Sequence, residues 1–515
     1  VGKIVEIRSG RVEGVEEQGV LMFRGIPFAR PPIGERRLRP PAVEEPWAGV
    51  RDGSRHGAPA PQNGSMVGAL LGLPAMQHAE DCLSLGVATP ACDGARRPVM
   101  VWVHGGGFVF GSGSQPTYES PDFVKRGDVV VVTVNYRLGA LGWLALPGLA
   151  EEEGNVAGNF GLLDQIAALE WVRDCIDRFG GDPGNVTIFG ESAGGMSVGS
   201  LLGSPRSQGL FRRAILQSGA AHNVASRETG ARVAELLMKE LDLESNALSA
   251  LRQLPAEKIL EAQARTLMQM ATQVRGIPFQ PTLDGGVLPE QPLDAISAGL
   301  NRDVQVLVGT NADEWKLFGL GDPKVRELDE AALLRRVERN VPGHDAGGRS
   351  RAERAIATYR GARIAAGLPA TPADLWFAIE GDRMFGIPAL RLAERKARVR
   401  GGASVHKYLF TWNSPAMNGI LGACHALEIP FVFGTAGSIP ALRGFVGEVP
   451  GVEKLSLEMQ DAWTSFARTG DPSHAGLGEW PAFEPTRAAT MVFGPETRLV
   501  DGPHREELAF WDGLL

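Results

Sequence analysis

Four residues that read as a buried strand, Val186-Thr-Ile-Phe189, run directly into Gly190-Glu-Ser-Ala-Gly194, and a helix-like segment follows at once. A strand that turns straight into a helix forces one residue onto a tight, exposed bend. A serine there is lifted out of the sheet as a nucleophile. Small residues at 190 and 194 suit such a bend because it brings the strand and helix backbones close together. The bare pattern is weak, since the chain holds 66 glycines and Gly195-Met-Ser-Val-Gly199 matches it as well. Context favours Ser192. Ser197 falls inside the helical stretch, where no bend exists. The structural alternative for Ser192 is a turn serine that caps the following helix.

The alternation of elements extends this reading to a fold class. Strand-like runs at Pro98 to Val103, Asp128 to Tyr136, Val186 to Phe189, Arg213 to Leu216, Val304 to Val308 and Val405 to Phe410 are nearly all apolar. Helical spacing is clear at Asn159 to Phe179, which ends at Gly180-Gly181, and at Ala231 to Leu243 and Leu455 to Arg468. Continuous apolar strands between helices predict an α/β fold with a mainly parallel sheet covered on both faces. Residues 325–400 are rich in Arg, Ala and Glu and predict a helical insertion; 222–300 predict another. With no internal repeat or low-complexity linker, the 515 residues read as one catalytic domain, 1–515, with helical additions that form cap or regulatory subdomains.

Composition removes several function classes. A net charge of −8 speaks against a nucleic-acid partner. No apolar run approaches the ~20 residues of a membrane span. The four cysteines, Cys82, Cys92, Cys175 and Cys424, form no C-x-x-C pair, so no zinc or redox motif is expected. Reduced thiols and a cytoplasmic setting are the expectation, with secretion left open because the first residue is Val1 and a leader could have been removed. The oligomeric state is not legible.

A serine hydroxyl needs a base, usually His, a carboxylate that orients that base, and N–H donors for the oxyanion. In folds built on this bend the chain order is nucleophile, acid, histidine, which sends the search downstream of residue 192. His104-Gly-Gly-Gly-Phe108 ends the strand at 98–103. It resembles the oxyanion loop of esterases and lipases, where glycines let the backbone approach the substrate oxygen. Read alone it is equally a flexible turn.

Several further segments stand in a familiar order: Phe23-Arg-Gly-Ile-Pro-Phe-Ala-Arg-Pro-Pro32, Glu80-Asp-Cys-Leu83, Asn135-Tyr-Arg137, Asn159-Phe-Gly-Leu-Leu-Asp-Gln165 and Gly180-Gly-Asp-Pro183. With the glycine loop and the bend they resemble the type-B carboxylesterase family, which includes cholinesterases and bacterial p-nitrobenzyl esterases. The resemblance implies an α/β-hydrolase fold and a serine hydrolase that cleaves carboxylic esters through an acyl-enzyme, with a small-molecule ester as partner and no cofactor or metal. It implies Ser192 as nucleophile and N–H donors from Gly106, Gly107 and Ala193. The acid segment Gly309-Thr-Asn-Ala-Asp-Glu-Trp315 implies Glu314 as the acid, with Trp315 in place of the usual small residue and Asp313 as local competitor. Gly422-Ala-Cys-His-Ala-Leu-Glu-Ile-Pro-Phe-Val-Phe-Gly434 implies His425 as the base. Glu191 and Ser218 are expected beside this triad, Ser218 in a position that often supports the acid. Many relatives join Cys82 to an upstream cysteine; here Ala60 stands before Pro61-Gln62, so the loop 62–79 is not closed covalently. That loop is expected to rim the substrate gorge, with Met66, Leu70, Leu71 and Phe108 facing the substrate. A lipase, an amidase or a carbamate hydrolase with the same triad remains an alternative, as does a non-catalytic cholinesterase-like binding module.

Overall fold

Period-2 alternation explains how the central strands build two cores at once. In the strand Arg97–Val103, Val99, Val101 and Val103 join one buried cluster, while Met100 and Trp102 join the other, on the opposite face. A computed structural model describes all residues except 1, 65–76, 147, 150–156, 245–246, 271–276, 323 and 515. Among the described residues the strands are β1 (Ile4–Ile7), β2 (Gly10–Glu13), β3 (Val15–Glu17), β4 (Val20–Pro27), β5 (Val50–Asp52), β6 (Ser84–Thr89), β7 (Arg97–Val103), β8 (Val130–Val134), β9 (Gly181–Glu191), β10 (Arg213–Gln217), β11 (Gln305–Asn311), β12 (Val405–Phe410), β13 (Ala489–Phe493) and β14 (Arg498–Asp501).

Eleven of them form one sheet in the order β14-β13-β12-β11-β10-β9-β7-β8-β6-β4-β3; β1, β2 and β5 form a small second sheet. The pairings from β8 through β7, β9, β10, β11 and β12 to β13 are parallel, and those at both margins are antiparallel. The expected mainly parallel centre is present. The antiparallel margin of β3, β4 and β6 comes from the first ninety residues, where no strand was expected.

Helices cover both faces. Phe160–Cys175 buries Leu162, Ile166, Leu169 and Val172 against one face; Val452–Thr469 buries Leu455, Met459, Trp463 and Phe466 against the other. Helices Arg227–Glu240, Leu248–Gln253 and Ala256–Met270 fall in 222–300. Helices Glu330–Asn340, Arg351–Ala365, Pro372–Gly381 and Ile387–Ala397 fall in 325–400, and the first three centre on a third cluster with Leu333, Tyr359 and Trp376. The four cysteines are free. Arg137 and Asp164, from two of the sequence segments singled out above, form a fully buried bidentate pair with contacts of 2.7 and 2.8 Å. No described helix is long and apolar enough to cross a membrane.

Candidate active site

The register of the parallel strands brings their carboxyl ends together. Val103 lies opposite Gly190, and Gln217 lies opposite Glu191 on one side and Gly309 on the other. Residues just past β7, β9, β10 and β11 therefore gather in one crevice, the usual place for ligands in such sheets.

Ser192 stands between β9 and the helix Ala193–Leu202 with φ 56° and ψ −126°, a conformation that non-glycine residues avoid and that stores strain. Close packing makes the bend possible. A Cβ at Gly190 would lie 2.6 Å from the Val103 carbonyl oxygen, and one at Gly195 would lie 2.8 Å from that of Gln217. The Ser192 N–H donates to Gln217 O at 2.9 Å. Ser197 sits in the helix interior, where its Oγ accepts from Gln165 Nε2.

The glycine loop abuts the bend. A Cβ at Gly105 would lie 3.1 Å from Ser192 Cβ. Gly106 (φ 112°) and Gly107 (φ 57°) adopt left-handed conformations. Among the described residues the N–H groups of Gly106, Gly107 and Ala193 donate to no backbone carbonyl outside regular helix and strand bonding. His104 is stacked on Tyr136, and burial holds its pKa down at about 4, so it is a neutral packing group. Phe108 departs from expectation. Its positive φ of 62° turns the ring inward, where it is fully buried with its edge on Trp143, so it offers no surface to a substrate. Met66, Leu70 and Leu71 lie outside the described residues.

Glu314 and His425, 111 residues apart, meet. His425 Nδ1 lies 2.6 Å from Glu314 Oε2, and Glu314 Oε1 accepts the Asn311 N–H at 2.8 Å. The competitor Asp313 points elsewhere. It pairs with Lys316 at 2.9 Å and clasps the histidine loop, accepting from Ala423 N and donating its own N–H to Ala423 O. His425 Nε2 has no hydrogen-bond partner and lies 3.1 Å from Glu191 Oε1. Ser192 Oγ and His425 Nε2 form no hydrogen bond; the group that reaches Nε2 is Glu191, the residue before Ser192 in the chain. Ser218 Oγ is buried without a partner and does not bond Glu314.

Three buried carboxylates surround one imidazole. Burial opposes a charge on His425, but Glu191, Glu314 and Glu428 outweigh it and raise its pKa above the ordinary 6.5. Burial raises Glu191 well above the usual carboxylate range. A protonated Glu191 gives up most of its pull on the imidazole, so the two titrate as a pair; the direct bond from Glu314 keeps the direction for His425 upward. Sequence reasoning missed the support beneath. Asn311 Nδ2 donates to Cys424 O at 2.8 Å and to Glu428 Oε2 at 2.7 Å; Gln217 Nε2 donates to Glu428 Oε1, and Trp463 Nε1 to Gln217 Oε1. The His-x-x-Glu spacing was the one available signal for Glu428. Trp315, Phe318 and Phe385 form an aromatic group beside His425, with Phe318 and Phe385 centred 5.0 and 4.7 Å from the imidazole.

Comparison with known proteins gives the family. The model of the carboxylesterase family matches residues 1–511. The chain belongs to the carboxylesterase family. It is 36% identical over 513 residues to the para-nitrobenzyl esterase of Bacillus subtilis, covering 98% of this chain and 97% of that one. It is 40% identical over 507 residues to the fumonisin B1 esterase of Sphingopyxis macrogoltabida, covering 96% and 87%. A crystal structure of the Geobacillus stearothermophilus carboxylesterase EST55 superposes with a TM-score of 0.86 at 40% identity, over 99% of both chains. As a carboxylesterase with the α/β-hydrolase fold, the protein hydrolyses carboxylic esters.

Proposed function

We propose that Ser192, His425 and Glu314 are the catalytic triad of this esterase. His425 takes the Ser192 proton as Oγ attacks the ester carbonyl. The oxyanion is received by the N–H groups of Gly106, Gly107 and Ala193. The alcohol leaves with the proton from His425, and water releases the acid by the same steps. Glu314 fixes the ring so that Nδ1 carries the proton and Nε2 faces the nucleophile. The observation that carries the reading is an imidazole held at Nδ1 by Glu314, its Nε2 free of hydrogen bonds and 3.1 Å from Glu191, the residue that precedes the strained bend at Ser192. Apo sites often hold the nucleophile and base loosely and tighten them with substrate.

The aromatic group next to His425 favours esters with a flat aryl portion, and Phe318, 41% exposed, is the ring such a substrate would meet. The decisive experiment combines labelling and kinetics on the full chain. A fluorophosphonate is expected to label Ser192, and Ser192→Ala to lose label and nearly all turnover, by roughly 10⁶ in kcat on the subtilisin precedent. Retained ester turnover in that variant refutes the triad. Short p-nitrophenyl esters, an emulsified long-chain ester, a carbamate and an anilide, compared by kcat/KM, separate an esterase from the lipase, carbamate and amide alternatives.

A further inference from the structure

Behind the Glu314–His425 pair lies a second group of ionisable side chains, only partly buried, that the reaction does not use. It centres on Asp382, which faces a polar cavity of about 40 Å³. Asn311, Glu314, His504 and Glu507 share the lining. The volume accommodates one or two water molecules.

The backbone at Asp382 is unusual. Asp382–Gly386 forms a single wide π-type turn between the helices Pro372–Gly381 and Ile387–Ala397. Such turns are rare and concentrate at functional sites. This one touches both members of the pair. Gly381, just before it, is so placed that a Cβ there would lie 3.6 Å from Glu314 Cβ. Phe385, inside it, sets its ring 4.7 Å from that of His425. Phe385 also stacks at 12° on Phe318, which flanks the same imidazole.

Asp382 anchors the turn to the rest of the molecule. Its Oδ2 accepts the Tyr359 hydroxyl at 2.7 Å, and that hydroxyl accepts from Trp511 Nε1 at 2.8 Å. The helix Arg351–Ala365 and the end of the chain are thereby tied to the residue that opens the turn. Other charged groups face the cluster from every packed element: Arg363 from that helix, Lys407 from β12, Glu314 beyond β11, and His504 with Glu507 from the C-terminal segment. On its own run, Glu380 and Arg383 pair with each other. Burial raises the Asp382 pKa to about 6 against the opposing Tyr359 hydrogen bond. An apolar side chain would fill the space at lower desolvation cost, so a carboxylate here calls for a role.

We propose that Asp382 is a positioning residue for the triad: held by Tyr359 and Trp511, it fixes the turn that seats Phe385 on His425 and backs Glu314. The inference rests on the reading of Glu314 and His425 as acid and base of the triad. Displacement of a catalytic group by about 1 Å costs on the order of 10²-fold in rate. The effect should fall on kcat, since Asp382 acts through Glu314 and His425.

The test measures kcat, KM and the pH profile of kcat/KM on a p-nitrophenyl ester for Asp382→Ala, Asp382→Asn, Phe385→Leu and the double variant Asp382→Ala/Phe385→Leu, all in the full chain. Asp382→Ala is expected to lower kcat by about 10²-fold with KM within about twofold. Asp382→Asn, which still accepts the Tyr359 hydroxyl, recovers part of the loss and moves the acid limb downward, because a negative charge near the pair is gone. The double variant loses less than the product of the two single losses, because both act along one route. An unchanged kcat in Asp382→Ala, or an unchanged acid limb in Asp382→Asn, with only a lower melting temperature, overturns the proposal, as do fully multiplicative losses. Asp382→Asn keeps the test valid if Asp382→Ala does not fold. Ser192→Ala, run alongside, separates the two levels. If that variant retains turnover, the triad reading fails; if it is inactive and the Asp382 variants behave as wild type, the positioning role alone fails.

Discussion

Replacing Glu191 by Gln removes a charge while keeping the shape of the carboxylate that, among the described residues, reaches Nε2 of His425. Glu191 Oε1 and His425 Nε2 are 3.1 Å apart, and both side chains are buried. At an effective dielectric near 20, two unit charges at that distance interact by about 5 kcal/mol, which is the ceiling for a fully ionised Glu191. Burial raises the pKa of this carboxyl, so the substitution removes only a part of that sum. One pH unit corresponds to about 1.4 kcal/mol, roughly a quarter of the ceiling. Turnover needs the neutral imidazole, and the surrounding carboxylates raise its pKa. In the wild type, kcat/KM should therefore rise with pH through a limb above the ordinary 6.5. In Glu191→Gln the neutral form persists to lower pH, and the limb should move down by about one unit. The assay is initial-rate hydrolysis of a p-nitrophenyl ester from pH 5 to 10, with fluorophosphonate titration of active sites at each pH. A limb that stays in place, or moves upward, refutes the claim that Glu191 contributes to the field on His425.

Other outcomes follow from the same geometry. Glu314→Gln leaves His425 without its carboxylate at 2.6 Å and should lower kcat by about 10⁴-fold, the loss seen when a triad acid becomes an amide; a loss under tenfold points to another acid. Gly106→Ala sets a Cβ on the Phe110 carbonyl at a φ of 112°, so the loop must shift. A fall in kcat of roughly 10²–10³ is expected, with an unchanged circular dichroism spectrum showing that the loss is local. Asp164→Asn leaves the Arg137 guanidinium buried without its bidentate partner and should cost about 3–5 kcal/mol of stability, read as a lower midpoint in urea; an unchanged midpoint refutes it.

The bend at Ser192, the glycine loop and the central strands were legible because each is a local pattern. Four residues from Val186 to Phe189 state a strand, and small residues at 190 and 194 state where it must turn. The first ninety residues were harder. β4 does open on an apolar run, Val20-Leu-Met-Phe23, that went unread; in β6 the buried Leu85 and Val87 alternate with Ser84, Gly86 and Ala88, so no continuous apolar run marks it. Phe108 followed an expectation drawn from its loop, but a left-handed backbone turned its ring into the core.

What the amino-acid order determined alone was therefore the set of short-range devices: which runs extend, where the chain bends, which serine is exposed by the bend, and which family carries that pattern. Only the tertiary structure decided that Glu191 faces His425, that Asn311, Gln217 and Glu428 hold the histidine loop, and that Asp382 sits behind the acid. The reason is one of range. Backbone sterics and side-chain periodicity act over a few residues and can be read along the chain. Partners 111 residues apart meet only because strand order and register set the carboxyl ends of β11 and β12 side by side.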